Sequence, residues 1–144
     1  MVATSVADAV TSIGGLIFDR AMAGWDVTVA IAGDIEGEAD RAIRILGARV
    51  ATAESDNAPR PHILAVASDV FVTNDPVRRL ALAARKGHAT EVLVWGRRRP
   101  PKLNGTFVPR RHRPSAAAQV FKSHALAARG TFAGPAEEGF YSMA

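Results

Sequence analysis

Cysteine is absent from this chain, which excludes thiolate nucleophiles, thiolate metal sites and disulfide crosslinks. No apolar run approaches the roughly 18 to 20 residues needed to span a bilayer, and no basic region precedes the first apolar positions, so neither a membrane anchor nor a signal peptide is expected. The cytoplasm is the default location. The most telling gap is one of charge: between Glu91 and Glu137 there is not a single carboxylate. That stretch holds nine basic residues, Arg97, Arg98, Arg99, Lys102, Arg110, Arg111, Arg113, Lys122 and Arg129. The rest of the chain carries the other nine basic residues against all 14 acidic ones, a net of −5 hidden inside the overall +4. Such asymmetry is the footprint expected of a surface that meets phosphates or an acidic partner.

What is present describes an ordinary domain. At 144 residues and 48% apolar composition the chain can bury a core of its own without clips or metals. Val6, Val10, Ile13, Ile17 and Ala21 recur at helical spacing and predict a helix over residues 5–23, capped by Ser5 and stopped by Gly24. Gly14 and Gly15 in its middle cost roughly 1 kcal/mol each relative to alanine, which implies close approach by another part of the chain. A strand is predicted over 25–32, a helix over 34–46 ending at Gly47, and a short strand over 49–52. Together these make one crossover unit. Residues 53–61 read as a loop. Residues 62–72 fit both a helical stripe and an alternation, with helix slightly preferred. Asp75 and Pro76 open a helix that Gly87 ends, and 91–95 is a strand.

Beyond residue 96 the pattern changes. Pro100, Pro101, Gly105, Pro109 and Pro114 resist regular structure, so residues 97–114 read as an extended arm or long loop. Ser115 caps a last helix to about residue 129, with Ala117, Val120, Phe121, His124 and Ala128 on one stripe and Phe121 anchoring the helix to the body. The fold expected is therefore α/β: a small three-layer, Rossmann-like, mostly parallel sheet with flanking helices over residues 1–96. A basic arm and helix over 97–129 pack on the same domain, and 130–144 form a tail that Phe132, Phe140 and Tyr141 can tie down.

For function the sequence offers two readings. In the first, the chain is a non-catalytic binding domain. Arg97, Arg98, Arg99, Lys102, Arg110, Arg111, Arg113 and Lys122 surround Phe107 and meet nucleic acid or an acidic protein surface. In the second, a small-ligand or metal-dependent enzyme has its site at the carboxyl ends of the strands, near Gly33, Asp34, Glu36 and Gly96. No dinucleotide fingerprint, phosphate loop, Gly-x-Ser-x-Gly turn or metal-ligand spacing of histidines is present, so neither cofactor nor metal is called for. The acidic residues after Gly33 also stabilise a helix start without any ligand. Assembly of identical copies through the Gly14 and Gly15 helix and the tail aromatics is a further possibility.

Overall fold

The computed structural model describes residues 1–33, 39–51, 60–97, 100, 107–130 and 134–143. Five short apolar strands, β1 (Val2–Ala3), β2 (Thr28–Ile31), β3 (Arg49–Val50), β4 (Ile63–Ala67) and β5 (Glu91–Trp95), run parallel. They are extended by two antiparallel strands, β6 (Phe107–His112) and β7 (Glu138–Met143). The order across the seven-stranded sheet is β3-β2-β1-β4-β5-β7-β6. Helices α1 (Val6–Met22), α2 (Ala39–Ile45), α3 (Ser68–Thr73), α4 (Asp75–Lys86) and α5 (Ala116–Ala128) complete the chain. From the β1/β4 seam the chain winds one way through α1 to β2 and the other way through α3 and α4 to β5. Right-handed crossovers therefore place these helices on opposite faces. Helix α5 joins α1 and α2. The expected three-layer α/β sheet is present.

Local signals explain most of these elements. Ser5 Oγ accepts the Asp8 N–H at 3.0 Å and starts α1, and Gly24 takes the left-handed conformation (φ +87°) just beyond its end. Asn74 caps α4 through the Val77 N–H, with Pro76 in its first turn. Ser115 caps α5 through the Ala118 N–H. Residues 62–72, slightly preferred as helix, divide in two: the first half is strand β4, against that preference, and the second half is helix α3.

Three expectations need correction. Strand β1 has no counterpart among the predicted elements: two residues are too few for a periodicity, yet Val2 pairs with Ala30 on one side and Val66 on the other, at the centre of the sheet. Within the stretch expected as an arm, Phe107–His112 is the edge strand β6, its Pro109 tolerated at an edge position. The stretch expected as a tail supplies β7, inserted between β5 and β6 and buried at Phe140. These strands complete the same sheet as the parallel core.

The two mid-helix glycines are explained by what lies against them. A Cβ on Gly15 would come within 2.5 Å of Pro114, and one on Gly14 within 3.3 Å of the Lys122 stem. Gly15 and Leu16 also donate their N–H groups to the buried Glu138 carboxylate at 2.6 and 2.8 Å, and Lys122 Nζ donates to the same carboxylate at 2.8 Å. Both side chains are almost fully buried. The glycines thus admit an ion pair that welds α5 and β7 to α1.

Candidate functional site

In an open parallel sheet, the crevice forms where neighbouring strands send their crossovers in opposite directions, at their carboxyl ends. Here that place is the seam between β1 and β4. Among the described residues four chain segments meet the carboxyl edge of the sheet: Thr4 and Ser5 after β1, Ala32 and Gly33 after β2, Ser68 and Asp69 after β4, and Gly96 after β5. They approach one another closely. A Cβ on Gly33 would stand 3.0 Å from the Thr4 carbonyl, and one on Gly96, whose φ is +136°, would collide with Ser68 Oγ. Glycine is needed at position 96 on both counts.

Among the described residues two carboxylates stand here, and they differ in what remains free. Asp8, in the first turn of α1, accepts from the Thr4 N–H (3.2 Å), Thr4 Oγ1 (3.0 Å), Ser12 Oγ (3.1 Å) and the indole N–H of the buried Trp95 (3.1 Å). Two donors on each oxygen fill its acceptor capacity. It ties β1, α1 and β5 together. Asp69, in the first turn of α3, is exposed, and its carboxylate makes no hydrogen bond or ion pair with any described residue. The Thr73 hydroxyl bonds only to its backbone carbonyl. Sequence spacing gives no hint of either residue, because β1 and β4 are more than 60 positions apart and only the sheet order makes them neighbours.

A second polar constellation lies away from this edge. Asp19 accepts from His112 Nε2 at 2.9 Å, from the Ser115 N–H at 3.0 Å and from Ser115 Oγ at 2.5 Å. Burial opposes its ionisation, but the bonds from Ser115 and His112 and the charge on His112 outweigh that cost and hold Asp19 below the usual carboxylate range. Serine, histidine and aspartate match a nucleophilic relay in composition only. Both donors converge on the carboxylate, whereas a relay needs the imidazole between serine and acid. The Ser115 oxygen is further committed to capping α5. The cluster fastens α1 to the start of α5 and the end of β6.

Of the residues expected to form the enzyme site, Gly33 and Gly96 stand at the carboxyl edge, while Asp34 and Glu36 lie outside the described residues. Of those expected to form a basic binding surface, Arg98, Arg99 and Lys102 also lie outside them. The others are dispersed. Arg97 is exposed after β5, at the carboxyl edge. Arg110 and Arg111 are consecutive in β6 and so point to opposite faces of the sheet, Arg111 toward Glu137 at 3.4 Å. Arg113 is exposed beyond the strand. Phe107, expected as a stacking platform, is 4% exposed and packs edge-on to Phe71 in the core. Lys122 is inside, paired with Glu138. Counting charge along the sequence cannot reveal that Lys122 is spent in the core.

Among the described residues no three histidine, aspartate or glutamate side chains gather as metal ligands. No described helix is long and apolar enough to cross a membrane. No protein-family model matches the chain, and no curated protein matches its sequence. Solved structures do match its fold. A deacetylase of the pathway that makes teicoplanin, solved as a triple mutant, superposes with a TM-score of 0.68 at 14% identity, covering 99% of this chain and 96% of its own. A deacetylase in complex with teicoplanin gives 0.67 at 12%, with the same coverage. The A40926 pseudoaglycone deacetylase Dbv21 gives 0.60 at 16%, covering 99% and 95%. At such identities the likeness establishes the fold. The expectation of a non-catalytic domain that binds nucleic acid or an acidic protein through residues 97–129 is overturned. Part of that segment is sheet and core, and the three solved structures matched here from end to end are deacetylases.

Proposed function

We propose that this chain is a hydrolase of the deacetylase type, acting on an acetylated small molecule at the carboxyl edge of β1 and β4. The observation that carries this reading is the end-to-end match with three deacetylase structures. The chemistry is addition of water to the acetyl carbonyl, cleavage of the carbonyl–nitrogen bond, departure of acetate and protonation of the released amine. Water needs an acceptor for its proton, and a carboxylate whose lone pairs are all engaged serves poorly. Asp8 is therefore the positioning group that fixes the site's walls, and Asp69 is the group that takes the proton from water and returns it to nitrogen.

The test is acetate release from N-acetylglucosamine and from the A40926 pseudoaglycone, with and without added divalent metal ions. The expected result is turnover by the native chain and a loss of about 10²-fold or more, on the order found for removing a general base, in Asp69→Asn with folding intact. Binding without turnover under every condition, or full activity in Asp69→Asn, would overturn the reading.

A further inference from the structure

The carboxyl edge holds a hydroxyl that the described fold does not use. Ser68 opens α3 directly after β4, next to the free carboxylate of Asp69, and is 2% exposed. Around it, the hydroxyls of Thr4 and Ser12 donate to the Asp8 carboxylate at 3.0 and 3.1 Å, and that of Thr73 donates to the Asp69 carbonyl at 2.7 Å. The exposed Ser5 spends its oxygen on capping α1. Ser68 Oγ makes no hydrogen bond with any described residue, and it does not cap α3, whose cap position is Ala67. A buried hydroxyl without a partner costs the fold its desolvation, and native proteins rarely keep one without a use. Room is nevertheless made for it, because Oγ lies where any side chain at position 96 would stand, and Gly96 at φ +136° leaves that space open. Nor is the atom sealed off. The fully enclosed, unpartnered side-chain atoms among the described residues are the Nε atoms of Arg20 and Arg129, and Ser68 Oγ is not one of them. Its neighbours Asp69 and Gly96 are both exposed.

We propose that Ser68 is a catalytic residue, its hydroxyl donating to the acetyl carbonyl oxygen while water adds to the carbonyl carbon. This inference rests on the hydrolase reading and on Asp69 as the base. When the water oxygen bonds to carbon and its proton passes to Asp69, the carbonyl π pair moves onto oxygen, which becomes negative. A donor already fixed at that point stabilises the charge without reorganising. Ser68 meets the requirement, since packing against Gly96 holds Oγ in place and its proton has no competing acceptor among the described residues. The electron pair then re-forms the carbonyl, the carbon–nitrogen bond breaks, and nitrogen takes the proton from Asp69. Serine keeps its own proton throughout. A nucleophilic serine would need a base hydrogen-bonded to it, and no described side chain accepts from Ser68.

The test pairs steady-state acetate release from the A40926 pseudoaglycone and from N-acetylglucosamine with urea unfolding, for the native chain, Ser68→Ala and Asp69→Asn. In Ser68→Ala, kcat should fall by about 10²- to 10³-fold, the range found for removing one oxyanion donor, with KM little changed. Its urea midpoint should equal or exceed the native one, because the change deletes a hydroxyl that has no partner in the fold. Unchanged kcat in Ser68→Ala beside an inactive Asp69→Asn would overturn this proposal and leave the hydrolase reading standing. No turnover by the native chain would overturn both. A lowered urea midpoint in Ser68→Ala would show that the hydroxyl is bonded within the fold, and an acetyl group found on Ser68 by mass spectrometry after acid quench would show a nucleophile; either would overturn the proposal.

Discussion

The parallel half of the sheet and the C-terminal third differ in what they bury: among the described residues, a buried charged pair occurs in the second and not in the first. In β2, β4, β5 and α1, burial tracks hydropathy: Val29, Leu64, Val66, Val92, Val94, Ile13 and Ile17 are inside, and the charged residues of α4 are outside. In α5, β6 and β7 the assignment is partly reversed. Lys122, Glu138 and Ser142 are buried, while Val108, Val120 and Phe121 are exposed. In the first region apolar burial supplies most of what selects the structure, with Asp8 tying β1, α1 and β5 together. In the second, a desolvated ion pair selects it, and such a pair holds only when every partner is in place.

That contrast sets the order of expected effects. Removing one half of the buried pair should be the most damaging change. Glu138→Ala strands Lys122 and two N–H groups of α1 and should cost about 3 to 5 kcal/mol in urea unfolding. A surface pair of the parallel half is the reference: Arg49→Ala, which loses the exposed bond to Asp26, should cost no more than about 1 kcal/mol. Were the two losses equal, the distinction between the regions would not hold.

A smaller effect belongs to Asp19, at the junction of the two regions. Its folded pKa lies below the ordinary 3.8, so its ionised form stabilises the fold fully above that value, and the contribution is lost as pH falls through the folded value. Asp19→Asn should cost about 1 to 3 kcal/mol at pH 7 through weakened bonds to His112 and Ser115. The native chain should lose this advantage below about pH 4. Urea midpoints of the two proteins should draw together as pH is lowered from 7 toward 3; a constant gap would show that the carboxylate charge plays no part.

The same contrast explains what can be read from the sequence. The cap at Ser5, the stops at Gly24 and Gly87, and the strand ending at Trp95 are local signals, and they place α1, α4 and β5. Strand β1 escapes because its evidence is tertiary: two residues gain their identity from neighbours at positions 30 and 66. Strand β6 escapes because proline and arginine, which mark an edge strand as well as an arm, give an ambiguous signal, and β7 because Gly134, Pro135 and Gly139 read as a tail. Gly14 and Gly15 do announce a close approach. What approaches is a lysine stem, a proline and a carboxylate, which no helical stripe could name. At the candidate site, Gly33 and Gly96 are legible from their places after strands, while Asp8 and Asp69 need the strand order to bring them to one edge.

Ligand chemistry at the β1/β4 seam, rather than on the C-terminal third, is the claim on which the proposed function stands. Amide chemical-shift mapping with the A40926 pseudoaglycone or N-acetylglucosamine tests it directly. The shifts should be confined to Thr4, Asp8, Gly33, Ser68, Asp69 and Gly96, and shifts confined to β6 and α5 would contradict it.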